Sequence, residues 1–356
     1  HATTIEPPIV TAARAISARL DERETITRAT LNAAMQAAFG AANDTGRWTQ
    51  RDSFEALEAA VAISLPRLLA GSPAERLRQI VEFEAALPTH TVRSEEQHAL
   101  QQFSTPPAIA WLAAYLAQPI SGDVFLEPSA GTGILAAFLD PRPATAILNE
   151  IDPRRADILA AIDPAASVHR HDATKLASLL PAGRRPSLIV MNPPFSISVT
   201  RGEDKNTAAR HLRAALDFLL PGGRLVAIMP DWFSTNAASD PVVTKTLEGA
   251  TVRLSLRLDK GAYAKHGTGI AVRILVLDKS PGTTRPAVIN RASALQLLDA
   301  IPQPPCRIPL RDNVPAPVKR TAPTGLFRAI KSRPNQPVII RSPKANAVRA
   351  VDYRVL

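Results

Sequence analysis

The alternation of apolar and polar positions divides the chain into two textures. From residue 9 to residue 88, alanine, leucine, arginine and glutamate dominate, and good helix propensity persists throughout. Ser72-Pro73-Ala74-Glu75 combines an N-cap serine, a proline at the first helical position and a capping-box glutamate. It opens an apolar series, Leu77, Ile80, Val81 and Phe83, that closes before Pro88. A second helix is expected over 53–69, ending near Pro66. From residue 103 to 277 the pattern changes to short β-rich runs alternating with helical segments. Strands are expected at 124–126, 146–149, 167–171, 188–191, 225–229, 252–256 and 272–277, with helices at 106–117, 134–139, 154–162, 207–219 and 241–247. Such alternation predicts an α/β fold, a doubly wound, mostly parallel seven-stranded Rossmann-like sheet.

Three segments follow from this texture: a helical accessory domain over 1–100, an α/β domain over 101–279, and a proline-rich basic extension or linker over 280–356. Charge supports the last boundary. The 78 residues from Lys279 onward hold 14 Lys plus Arg against three Asp, whereas the preceding 278 hold 28 basic and 29 acidic groups. Twelve of the 32 prolines fall in the same tail, which disfavours helix and ladder alike. Two readings stand for it: a solvated linker, or an arm that neutralises phosphates of a nucleic acid. The single cysteine, Cys306, excludes an intrachain disulfide framework and a four-cysteine zinc site, and no metal cluster is visible. No apolar run approaches the ~18 residues of a membrane span, so an intracellular, cytoplasmic protein without a membrane partner is expected.

In a doubly wound sheet ligands bind outside the carboxyl ends of the strands, so the residues after each strand carry the chemistry. The first strand runs into Glu127-Pro128-Ser129-Ala130-Gly131-Thr132-Gly133. This glycine-rich turn lets a ligand lie against bare backbone and aims amides of the next helix at it. No Lys-Ser/Thr follows Gly133, so it is not a phosphate loop, and it lacks the three-glycine dinucleotide fingerprint. The second strand ends in Asn149-Glu150-Ile151-Asp152, placing an acid where nucleotide sites hold a ribose diol. The third ends in His171-Asp172, an acid suited to accept from an adenine amino group; Asp152 and Asp172 taken singly read equally as helix caps.

The fourth strand ends in Asn192-Pro193-Pro194-Phe195, the most specific feature of the chain. Two prolines stiffen the backbone and remove two amide donors, leaving the Pro193 carbonyl without a competing partner. With the Asn192 side-chain carbonyl, two acceptors converge on what suits the two hydrogens of an exocyclic NH₂. Phe195 adds a flat face for a planar base.

Together Phe103-Ser104-Thr105-Pro106-Pro107, the Glu127–Gly133 turn, Asn149-Glu150-Ile151-Asp152 and Asn192-Pro193-Pro194-Phe195 resemble the S-adenosylmethionine-dependent N6-adenine DNA methyltransferases, in the order of the gamma class. The resemblance spans about 101–279. It implies S-adenosyl-L-methionine as cofactor and DNA as partner. Thr105 and Pro106, with Glu127 and the Ala130, Gly131 and Gly133 turn, would line the methionine end. Glu150 would hold the ribose, Ile151 would pack on the adenine ring, and Asp172 would accept from its amino group. Asn192, Pro193 and Phe195 would act on the target base, with Tyr263 either a second stacking wall or a surface tyrosine. The arrangement also resembles methylase modules that precede helicase domains, which implies a helicase domain or partner protein as company. Kept open beside this are methylation of an RNA base or a protein glutamine, and a non-catalytic nucleic-acid-binding module. The candidate histidines His169, His171 and His266 are expected at the surface or in caps.

Overall fold

The central strands, Val124–Glu127, Thr145–Asn149, Leu188–Met191, Arg224–Pro230 and Val272–Asp278, alternate their side chains between two cores. In the computed structural model, which describes residues 6–88, 104–180, 185–195, 198–199, 202–203, 206–235, 240–259, 271–280, 287–291, 294–297, 301–308 and 310, they belong to one sheet. The strands are β1 (Val124–Glu127), β2 (Thr145–Asn149), β3 (Ser167–His169), β4 (Leu188–Met191), β7 (Arg224–Pro230), β8 (Thr251–Leu258), β9 (Val272–Asp278) and β10 (Ala287–Arg291), with a separate two-stranded ribbon β5 (Ser198–Val199) and β6 (Gly202–Glu203). Their order is β10-β8-β9-β7-β4-β1-β2-β3. Strands β3, β2, β1, β4 and β7 run parallel, while β9 runs antiparallel to both neighbours, β7 and β8.

Phe125, Leu188, Val190, Val226, Ile228, Ile274 and Val276 face one core cluster. Leu126, Ile189, Met191, Leu225, Ala227, Met229, Leu275 and Leu277 face the other. The period of two is what makes the strands read as nearly unbroken apolar runs, because helices cover both faces. On the first face lie α1 (Pro8–Asp21), α2 (Arg28–Phe39), α3 (Gln50–Leu68), α4 (Pro73–Ala86), α5 (Pro107–Ala117), α6 (Ile134–Ala137) and α7 (Pro153–Ile162). The second face takes α8 (Leu176–Leu179), α9 (Thr207–Phe218) and α10 (Pro241–Thr246).

The seven expected strands all form, but among the described residues the sheet has eight. The additional one, β10, pairs parallel with β8 beyond Lys279, within the segment expected to be an extension. Five residues between Pro286 and Pro302 are too short a run to stand out from a proline-rich background. Residues 301–308 also pack on the sheet. Fully buried Arg224 pairs with Asp278 at 2.8 Å and donates to the carbonyls of Pro305 at 2.6 Å and Cys306 at 3.1 Å. Arg307 pairs with buried Asp123 at 2.5 Å. Arg224 and Asp123 stand at the amino-terminal end of the strands, opposite the glycine-rich turn. The charge of Arg307 is therefore committed to holding the tail down.

The N-terminal helices share their core with the sheet: Ile16, Leu57 and Leu65 belong to the same cluster as Phe125, Leu148 and Val190. The capping box expected at Ser72 is present, with Ser72 accepting from the Glu75 amide and Glu75 reaching back to Ser72. Glu84 of α4 accepts from the Ala108 amide at 2.7 Å, capping α5 from another helix.

Candidate functional site

The sheet reverses its winding between β1 and β4, and a crevice opens at the carboxyl ends of the strands there. The crevice is a cavity of about 320 Å³, inside the roughly 300–1,000 Å³ range of small-molecule sites.

Its floor is the turn after β1. Gly131 has φ +55° and a side chain added there would meet nothing within 4 Å, so bare backbone faces open space. Gly133, at φ +86°, serves packing instead, since an added Cβ would come within 2.7 Å of Leu159 on α7. The turn is held by the tip of β2. The Glu150 carboxylate accepts from the Gly131 amide at 2.8 Å through one oxygen and from the Asp152 amide at 2.9 Å through the other. Asn149, 1% exposed, knits three strand tips together: it donates to the carbonyls of Pro128 and His171 and accepts from the His171 amide, all at 2.9 Å.

Glu127 is buried at the base of the turn and accepts from the Ala136 amide at 3.1 Å, capping the short helix α6. Burial pushes its carboxyl well above the usual carboxylate range, and neighbouring Glu150 pushes the same way. Asp172 accepts from the Thr174 hydroxyl at 2.7 Å and amide at 2.9 Å, and these hydrogen bonds, the hydroxyl first, hold its carboxyl below the ordinary value. It is at once a cap and a wall of the cavity. Asp152 is a helix cap, accepting from the Arg154 and Arg155 amides, and pairs with Arg51 at 3.2 Å.

Above the floor stands the loop after β4. Asn192 Nδ2 donates to the Thr105 hydroxyl at 2.9 Å, which fixes the amide and leaves its Oδ1 buried with no hydrogen-bond partner among the described residues. Pro193 is buried, and Phe195, half-buried, packs against both core clusters.

Of the residues expected from the sequence, Thr105, Glu127, Ala130, Gly131, Glu150, Ile151, Asp172, Asn192, Pro193 and Phe195 line this one cavity. Pro106 and Gly133 do not: Pro106 caps α5, and Gly133 is the close-packing point against α7. Phe103, Tyr263 and His266 lie outside the described residues.

Three wall residues carry no mark in the sequence pattern. His211 of α9 lines the cavity beside Asp172; its Nδ1 is buried without a partner among the described residues, and desolvation lowers its pKa to about 4 despite the nearby Asp172. Arg155 of α7 is buried and donates to Glu55 at 3.0 Å. Glu58 of α3 reaches in from the helical layer and accepts the Thr132 hydroxyl at 3.4 Å. Glu55 also receives Arg51 at 3.0 Å and Arg154 at 3.1 Å, and Arg154 pairs with Asp52, so an ionic network clamps α3 onto α7. The helical layer, in which the sequence shows no chemistry, therefore supplies part of the site.

No known family model matches the sequence, and no curated protein does. Solved structures do. A chain assigned as the modification subunit of a type I restriction enzyme from Vibrio vulnificus is 17% identical over 62% of this chain, with a TM-score of 0.46; this chain spans 53% of its length. A chain assigned as a class I S-adenosylmethionine-dependent methyltransferase from Listeria monocytogenes is 15% identical, covering 82% of this chain and 94% of its own, with a TM-score of 0.46. The M protein of the type I restriction enzyme EcoKI is 15% identical over 78% of this chain and 61% of its own, at a TM-score of 0.40. At such scores and identities the fold assignment rests on the strand order itself.

Proposed function

We propose that this protein transfers the methyl group of S-adenosylmethionine to the N6 amino group of adenine in DNA. The observation that carries the reading is Asn192. A buried carbonyl oxygen without a partner is costly, about 1–3 kcal/mol, and a fold keeps one where a ligand satisfies it. Asn192 Oδ1 is oriented by Thr105, flanked by a proline pair that has no amide hydrogens, and set beside an aromatic ring.

The cavity suits the cofactor: an open glycine turn, an acid at the β2 tip for a diol, and Asp172 with Ile151 at the end where a purine would lie. Bound S-adenosylmethionine supplies an electrophilic methyl group. The chain's own residues supply alignment. Asn192 Oδ1 and the Pro193 carbonyl accept the two hydrogens of the target amine, which draws its lone pair out of the ring and stabilises positive charge developing on nitrogen. No tuned general base is required, because the proton leaves to solvent after the methyl has moved. Phe195 stacks the base, returning about 1–3 kcal/mol towards the cost of unpairing it.

DNA is the polymer favoured by the Phe-Ser-Thr-Pro-Pro and Glu-Pro-Ser-Ala-Gly-Thr-Gly elements, and the formal charge of +10 agrees with a polyanionic partner. A helicase domain or partner protein acting on the same DNA is part of this proposal. Transfer of labelled methyl from S-adenosylmethionine to separate pools of DNA, RNA and protein, followed by enzymatic digestion, tests it. Label in N6-methyldeoxyadenosine is expected; label confined to RNA or to glutamine would overturn the assignment.

A further inference from the structure

The cavity has three glutamates in its wall, and they are not equivalent. Glu127 is 1% exposed, caps α6 through the Ala136 amide and is driven towards its neutral form by burial. Glu150 has a backbone amide on each oxygen. Glu58 makes a single long hydrogen bond, from the Thr132 hydroxyl at 3.4 Å, and no other among the described residues; the buried Arg155 guanidinium, itself bonded to Glu55, faces it electrostatically. Its position is also distinct. Together with Ser104, Thr105 and Ile134 it borders both the main cavity and a narrow slot of about 30 Å³ beside it, and Asp172, Ala173 and His211 do not line that slot.

The placement of Glu58 is built in rather than incidental. Glu55 lies three residues earlier on α3, hence on the same helical face, and is clamped by Arg51, Arg154 and Arg155. The same stretch of α3 meets the glycine turn through the Thr132 hydroxyl on Glu58. The cofactor that the proposed function requires carries a charged amino group at the end opposite its adenine. A carboxylate with spare acceptor capacity in a partly enclosed cleft is the group that such an ammonium selects.

We propose that Glu58, from the helical layer, is the carboxylate that receives the α-ammonium group of S-adenosylmethionine. Glu58 is then a cofactor-specificity residue, and the helical layer completes the cofactor site. The assignment rests on the methyltransferase reading. In chemical terms Glu58 reads the amino-acid moiety and contributes nothing to the nucleoside end.

Calorimetry with two probes isolates that role: S-adenosylmethionine, and 5′-methylthioadenosine, which keeps the nucleoside and lacks the amino-acid moiety. Glu58→Gln is expected to weaken S-adenosylmethionine binding roughly 10- to 100-fold, the worth of a hydrogen bond to a charged group. Binding of 5′-methylthioadenosine is expected to stay within about two-fold, which also reports that the variant is folded. Thr132→Val, which removes only the hydroxyl that orients Glu58, is expected to weaken S-adenosylmethionine by a few-fold and to spare 5′-methylthioadenosine. Equal losses for both probes in both variants would reduce Glu58 to a structural residue and overturn the assignment, as would unchanged binding of S-adenosylmethionine to Glu58→Gln. If the unmodified protein binds neither probe, the methyltransferase reading falls and takes this assignment with it; binding of 5′-methylthioadenosine alone leaves a nucleoside site and overturns only the role of Glu58.

Discussion

Asn149 ends β2, Asn192 follows β4, and both line the same cavity, yet they serve opposite purposes. Asn149 is satisfied on every side: two backbone carbonyls accept its hydrogens and a backbone amide donates to its oxygen. Asn192 is satisfied on one side, through Thr105, and its buried carbonyl has no partner among the described residues. An amide with every partner supplied by its own fold is a fastener. An amide that is half-partnered inside a cleft waits for something else. Asn149 draws the tips of β1, β2 and β3 together so that the glycine turn keeps its shape, and Asn192 uses that shape. His211 extends the contrast, since two of the five buried side-chain polar atoms without partners among the described residues, Asn192 Oδ1 and His211 Nδ1, belong to residues that line this cavity.

The contrast predicts that the two asparagines fail in different ways. Asn192→Ala should lower kcat for methyl transfer by about 10³-fold, in line with removal of a preorganised polar group from a transition state. Its affinity for S-adenosylmethionine and its melting temperature should stay near those of the unmodified protein; a variant that melts early while retaining transfer would reverse the roles assigned here. Asn149→Ala should do the opposite, costing about 3–4 kcal/mol of stability by stranding two carbonyls and an amide. Urea denaturation reads this directly.

His211 predicts a pH dependence. Its pKa falls from 6.5 to about 4 on folding, because desolvation disfavours the charged ring. Below pH 6.5 the unfolded chain takes up a proton that the folded chain refuses, so stability declines from about pH 6.5 to about pH 4, by up to about 3 kcal/mol, and no further below that. Above pH 6.5 the residue makes no such contribution. Denaturation curves at pH 7 and pH 4.5 should converge in a His211→Gln variant relative to the parent; an unchanged gap would show that His211 is solvated. The smallest effect is expected of Thr105→Val, which frees the Asn192 amide to rotate: a loss of about 10-fold in kcat, the worth of one hydrogen bond, with the melting temperature unchanged.

Much of this arrangement is legible along the chain. β1, β2, β4, β7 and β9 announce themselves as short apolar runs because helices cover both faces of the sheet. The residues after the first four strands read as wall residues because a parallel sheet gathers strand tips at one edge. What sequence spacing does not disclose falls into two kinds. One is position within a known motif. Gly133 looks like Gly131 in sequence, and only the approach of Leu159 shows that one glycine serves packing and the other the cavity. Glu127, likewise, reads as a ligand-facing acid; it lines the cavity, and spacing gives no sign that it also caps α6 through the Ala136 amide. The other kind is contribution from afar. Glu58 meets Thr132 across 74 residues and Arg155 meets Glu55 across 100, and nothing in the helical texture of α3 marks either glutamate as different from its neighbours. Helical propensity predicts that α3 forms; its apolar residues Phe54, Leu57, Val61 and Leu65 seat it on the core, and the pairing of Glu55 with α7 adds an ionic contact that the spacing does not announce.

The central claim is that the Asn192 loop grips the amino group of adenine. The most direct measurement is single-molecule sequencing of DNA from cells expressing either the unmodified chain or Asn192→Ala, read for modified adenines. N6-methyladenine at recurrent sites in the first sample and its absence from the second is the predicted result. DNA free of modified adenine in both, or equally modified in both, would contradict it.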